Sequence, residues 1–140
     1  MLEVPSTIEG KQGFYGDIKD SFEREGFSLG GNWEYFKGFF DHILYLREGV
    51  TIYLRLPVFV LSGVLDRDDA LLQFGRPFLI KHIMNLGIAE GDMDFSALDI
   101  TGLSQFQKPR DPDDKIKNED RWIRAADAAI SRINSDLVSV

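Results

Sequence analysis

The sequence predicts an α+β domain: an antiparallel meander of about four to five strands with an N-terminal and a C-terminal helix packed on one face. Three observations predict it. Residues 50–56 alternate strictly, with Val50, Ile52, Leu54 and Leu56 on one face and Thr51, Tyr53 and Arg55 on the other. That is the pattern of a half-buried strand. Residues 119–137 carry Trp122, Ala126, Ala129, Ile133 and Leu137 at helical spacing, which gathers them into one apolar stripe. Short turns separate the apolar runs between residues 33 and 84, and strands joined by short connections pair with their neighbours in sequence.

The elements follow in chain order. Residues 13–25 read as a helix, with Phe14, Ile18 and Phe22 at i, i+4 and i+8. Gly26 suits the C′ position, where a left-handed backbone ends a helix. Residues 33–46 are aromatic and β-rich. Arg47-Glu48-Gly49 reads as a turn that folds them against 50–56 in a hairpin. Pro57 cannot donate to a ladder and marks an edge, a bulge or a strand start. Residues 58–65 form a further strand and 66–69 a turn, and residues 70–74 and 77–84 are two more strands split by Gly75. Residues 85–118 form an irregular acidic loop, either functional, partly disordered or holding short helices such as 95–99. The helix at 119–137 starts on Asn118 as N-cap, with Glu119 and Asp120 at the positive end of its dipole.

Composition sets further bounds. A chain of 140 residues favours a single domain over 1–140. It has no Cys, which excludes a disulfide scaffold. Its 11 Phe, 4 Tyr and 2 Trp exclude a disordered chain. The longest apolar stretch, 54–65, is broken by Arg55, Pro57, Ser62 and Gly63, and a membrane helix needs about 20 apolar residues. Sixteen Lys+Arg against 23 Asp+Glu give a net charge of −7. Nucleic-acid binding requires neutralising positive charge, so no nucleic-acid partner is expected. The first residues lack the basic and apolar regions of a signal peptide. With no cysteine, the expected address is the cytoplasm.

Motifs for chemistry are weak. Gly26-Phe27-Ser28-Leu29-Gly30 matches G-x-S-x-G, but a helix precedes it and a strand follows, the reverse of a nucleophile elbow. Gly10, Gly13 and Gly16 do not spell a phosphate-binding loop. The two histidines, His42 and His82, lack metal-ligand spacing, and Asp41 beside His42 points to the opposite face of a strand. The run Asp92, Asp94, Ser96 lacks the Gly and Glu of a calcium loop, and Asp111, Asp113, Lys115 fails at the third ligand. No catalytic residue, metal or cofactor is expected. The aromatic set around Trp33, Tyr35, Phe39 and Tyr53 exceeds what one face of one hairpin can bury. Three covers are open for it: the 85–118 loop, a second copy of the chain, or a ligand.

Several segments resemble the YugN-like family, small proteins of spore-forming bacteria. They are the opening Met1-Leu2-Glu3-Val4-Pro5-Ser6, Gly31-Asn32-Trp33-Glu34-Tyr35, Phe40-Asp41, Tyr53-Leu54-Arg55-Leu56-Pro57, and Lys81-His82 before Gly87. The resemblance covers roughly residues 1–90 and shows no match beyond Gly87. It implies a bacterial cytosolic context and an α+β fold, and brings no activity, cofactor or catalytic residue with it.

The leading expectation is therefore a non-enzymatic domain that forms a homo-oligomer, most simply a dimer, or binds a protein partner. Trp33, Tyr35, Phe39 and Tyr53 are its interface residues. The alternative is a small-ligand binder or small enzyme with a cleft between the sheet and the 85–118 loop, using Asp41, Arg55, His82 and Glu90.

Overall fold

A computed structural model describes residues 1–30, 36–84 and 116–139. Its long hairpin pairs β4 (Lys37–Arg47) with β5 (Val50–Ser62). The turn between them holds Glu48 at φ 53° and Gly49 at φ 80°. Two positive φ values at the central residues are the mark of a type I′ turn, whose twist matches that of the strands. On the other side of β5 lie β6 (Leu71–Phe74) and β7 (Phe78–Ile83). β6 pairs with the second half of β5 and β7 with the first. The two are thus one strand line interrupted at 75–77.

Three short strands complete the sheet. β1 (Leu2–Glu3) pairs with β7, β2 (Gln12–Phe14) with β6, and β3 (Ser28–Leu29) with β4. The described sheet therefore has seven strands, not the expected four to five, and is not a plain meander. The additional strands are two or three residues long, too short to show a period of two.

Pro57 does not end a strand, and β5 runs straight through it. Its carbonyl accepts from the Gly75 N–H at 2.8 Å. A strand residue aims its N and O to the same side, so the missing N–H faces the break between β6 and β7. The ladder loses nothing there.

The N-terminal helix α1 is Tyr15–Arg24. Phe14 does not join its buried face. It lies in β2 opposite Leu71 and is 47% exposed. Sheet pairing has claimed Gln12 to Phe14, and Ile18 and Phe22 alone form the helix's buried face. The helix ends as expected on Gly26, at φ 87°. Phe27 N–H donates to Phe22 O at 2.8 Å and Gly26 N–H to Glu23 O at 3.0 Å. This is a Schellman motif, with the accompanying apolar contact between the Phe22 and Phe27 rings, 5.7 Å apart.

The C-terminal helix α2 is Glu119–Ser131, shorter than the expected 119–137, and a 3₁₀ turn follows at Asn134–Asp136. Trp122, Ala126, Ala129, Ile130, Ile133 and Leu137 are all buried. Asn118 takes the N-cap place in a left-handed conformation, without a side-chain cap bond. Its carbonyl instead accepts from Arg121 N–H at 3.0 Å. Of the predicted 85–118 loop, 85–115 lies outside the described residues, and Ile116 is buried in the core.

Both helices and the sheet contribute to a single apolar cluster. Phe22 is its hub, with ring centroids 5.0 Å from Phe40 and 5.7 Å from Phe74. The chain ends tie together as well. Gln12 and Val138 exchange two backbone hydrogen bonds, and Lys11 donates to Asn134 at 2.7 Å. Among the described residues, no helix is long and apolar enough to cross a membrane.

Candidate functional site

Strand alternation sends Ile52, Leu54, Leu56 and Val58 into the core cluster and Thr51, Tyr53, Arg55, Pro57 and Phe59 to the other side of the sheet. Residues directly opposite in a ladder share a face. This outer face therefore also carries Phe39, Asp41 and Ile43 from β4 and Phe78, Ile80 and His82 from β7.

At its centre Asp41 stands opposite Arg55. Arg55 donates from Nε to Asp41 Oδ1 at 2.9 Å and from Nη2 to Oδ2 at 3.1 Å. The fork is bidentate, the strongest arrangement for this pair. The guanidinium also lies 4.5 Å from the Phe39 ring centre and 5.3 Å from that of Tyr53, within cation–π range. Both charged side chains are about a quarter exposed. The bonds to Asp41 raise the Arg55 pKa against the opposing effect of burial, so the guanidinium stays charged. Burial raises the Tyr53 phenol above its usual pKa, which keeps it a neutral O–H.

The face is closed toward β7, where Ile80 is 5% exposed, and open toward β4, where Ile43 is 56% and Leu46 66% exposed. At the open side, Asp41, Ile43, Thr51 and Tyr53 line a cleft of about 520 Å³. Ser28, Gly26 and His42 complete its described wall.

His42 turns away from Asp41, as adjacent strand residues do. Its ring stacks on Phe27 at 4.6 Å, and its Nδ1 lies 3.1 Å from the Gly26 carbonyl. Since a carbonyl only accepts, Nδ1 carries the proton. Gly26 has no room for a side chain here, because a Cβ would meet His42 Nδ1 at 2.9 Å.

Burial holds the His42 imidazole below its usual pKa, and the bond to Gly26 opposes this only in part. Arg132 adds to the lowering, while Glu25, itself paired with Arg132 at 3.0 Å, acts against it. On acidification the unfolded chain takes up this proton first, near its ordinary value of 6.5. Stability present above that value is therefore lost as the pH falls through the lower folded value. Urea midpoints measured from about pH 8 down to 5 should fall in the wild type and fall less in His42→Gln. Equal slopes would remove His42 as the source.

The predicted site residues thus divide. Asp41, Arg55, Phe39 and Tyr53 meet in one cluster. His82 stands on the same face opposite Thr51, two side-chain rows from Arg55. Glu90, Trp33 and Tyr35 lie outside the described residues. Sequence reasoning passed over Ser28, Ile43 and Thr51 as parts of a ligand-sized cleft. Ser28 follows a helix and leads into β3, so the elbow geometry is absent around it. Among the described residues, no three His, Cys, Asp or Glu side chains gather to hold a metal.

The model of the YugN-like family matches residues 3–137. The match passes well beyond residue 90, so the segment after Gly87 is part of the resemblance and not outside it. The chain is 30% identical over 119 residues to a relative from Bacillus subtilis (strain 168) with the name uncharacterized protein YugN, covering 83% of this chain and 84% of that one. A crystal structure of the uncharacterized conserved protein YugN from Geobacillus kaustophilus HTA426 superposes with a TM-score of 0.67 at 20% identity, covering 98% of this chain and 95% of that one. At that identity the likeness concerns the fold. The chain belongs to the YugN-like family.

Proposed function

We propose that this member of the YugN-like family is a non-enzymatic cytoplasmic binding module that pairs with a second copy through the outer face of its sheet, both helices lying on the opposite face. One observation carries the reading. At the centre of the outer face Asp41 and Arg55 neutralise each other among Phe39, Ile43, Tyr53 and Pro57, and Lys37 stands at the far end of the ladder opposite Phe59. Enrichment of aromatic residues and Arg characterises the centre of a protein interface. Around the pair, Ile43, Leu46 and Phe59 expose apolar surface. A two-fold contact needs one self-complementary patch, and a patch whose central charges, Asp41 and Arg55, cancel each other meets its own copy without like-charge repulsion at its centre.

Sedimentation velocity on the full chain should give a dimer at micromolar concentration. Ile43→Asp, which would bury an unpaired carboxylate in the contact, should weaken it by about a hundredfold or more. A compact monomer throughout the micromolar range would overturn self-association, and a dimer indifferent to Ile43→Asp would overturn this face as its seat.

A further inference from the structure

The cleft beside Asp41 has a chemistry of its own, although Asp41, Ile43, Thr51 and Tyr53 also lie on the face through which copies are proposed to pair. Asp41 forms part of its wall as a carboxylate whose two oxygens each accept one bond from Arg55. That fork fixes the carboxylate plane and cancels its charge, and leaves lone pairs on both oxygens. The wall can accept hydrogen bonds without selecting a cation.

Three hydroxyls share the cleft, those of Ser28, Thr51 and Tyr53. Among the described residues none of the three has a side-chain hydrogen-bond partner, whereas the hydroxyls of Ser6, Ser21 and Ser131 are all engaged. A hydroxyl both donates and accepts, so a set of them is best matched by other hydroxyls. Ile43 and the Tyr53 ring supply apolar surface for a C–H face. No Lys or Arg lines the cleft among the described residues, which disfavours phosphate and carboxylate ligands. A mostly apolar concavity with a few converging polar groups is the usual form of a small-molecule site, and about 520 Å³ lies within the usual range of sizes.

We propose that this cleft binds an uncharged polyhydroxylated small molecule of monosaccharide size, with a pair of neighbouring hydroxyls on Asp41 and others on Ser28, Thr51 and Tyr53. The contacts differ from those of the sheet-face pairing: they need the hydroxyls and not the exposed apolar side chains of Leu46 and Phe59.

The test is ¹⁵N–¹H correlation spectroscopy on the full chain, titrated with glycerol, myo-inositol and D-glucose at tens of millimolar. Sodium acetate and methylammonium chloride serve as charged controls. At least one polyol should give saturable shifts confined to the amides of Ser28, Asp41, Ile43, Thr51 and Tyr53. The double variant S28A/T51V changes no charge and keeps the β-branched shape at residue 51. It should bind that polyol about tenfold more weakly while its spectrum elsewhere is unchanged. Saturable shifts at these amides with acetate or methylammonium in place of the polyols would overturn the proposal. So would the absence of saturable shifts with all three polyols, or unaltered affinity in the double variant. Because Ile43 would lie inside the paired contact, each titration is run on protein that sediments as a monomer, with Leu46→Asp, outside the described cleft wall, supplying the monomer if the wild type pairs.

Discussion

Phe22→Ala is expected to destabilise the chain by about 3–5 kcal/mol, the usual cost of truncating a buried phenylalanine. Phe22 is fully buried. Its ring touches Phe27 in the helix cap, Phe40 in β4 and Phe74 in β6. One side chain thus joins α1 to two strands on opposite sides of β5. Aromatic pairs in such geometry are worth about 0.5–1.5 kcal/mol each beyond the area they bury. Neighbouring rings cannot collapse freely into the space, because Phe40 and Phe74 are held by backbone ladders on both flanks. The cost should therefore lie toward the upper end of the range. For a chain of this length, the melting temperature should fall by about 10–15 °C in calorimetry. A fall of only a few degrees would mean that the hub repacks, and that Phe22 is one core residue among equals.

The same hub shows how far the sequence could be read. The hairpin turn, the alternation of β5 and the stripe of α2 are long, periodic signals, and each appears in the structure close to where it was expected. Ile18 and Phe22 were legible for the same reason. Phe14 was not, because its helical spacing competed with a three-residue ladder to Leu71–Gln73 that has no period of its own. Tertiary pairing outweighed a local pattern of three residues. The missing donor of Pro57 is a local property, and read locally it marks an edge, a bulge or a strand start. Whether that gap faces a partner or a break depends on Gly75, eighteen positions away.

The Asp41–Arg55 cluster could be read as residue types and not as a pair. With Arg47 opposite Val50 across the turn, an unbroken ladder would set Asp41 against Leu56, on the wrong face. The irregularity between Ile43 and Tyr45 adds one residue to β4 and moves the register by one. Asp41 then meets Arg55, while Tyr45, on the turn side of the irregularity, keeps its place on the core side opposite Ile52. A one-residue slip exchanges the faces of every residue beyond it. The sequence Ile43-Leu44-Tyr45 holds no Gly or Pro that would announce it. The candidate site is thus made by a bulge, a device that commonly re-aims side chains near functional positions.

The second large effect lies beside the irregularity, where Tyr45 on the core side packs edge-on against Trp122, with centroids 5.5 Å apart at 70°. Trp122 is 8% exposed, and the Arg121 guanidinium lies 4.7 Å from its ring centre. Trp122→Ala should cost about 3–5 kcal/mol. It removes the largest side chain of the stripe, while Ala126 and Ala129 are too small to compensate. Because α2 shares one cluster with the strands, the loss should appear as one cooperative transition shifted to lower denaturant with an unchanged slope. If α2 instead melted alone, hydrogen exchange would show its amides unprotected while those of β4 and β5 kept their protection. A double-mutant cycle with Tyr45→Leu isolates the ring pair and should return about 0.5–1.5 kcal/mol of coupling. Zero coupling would show that Trp122 is held by the aliphatic stripe alone.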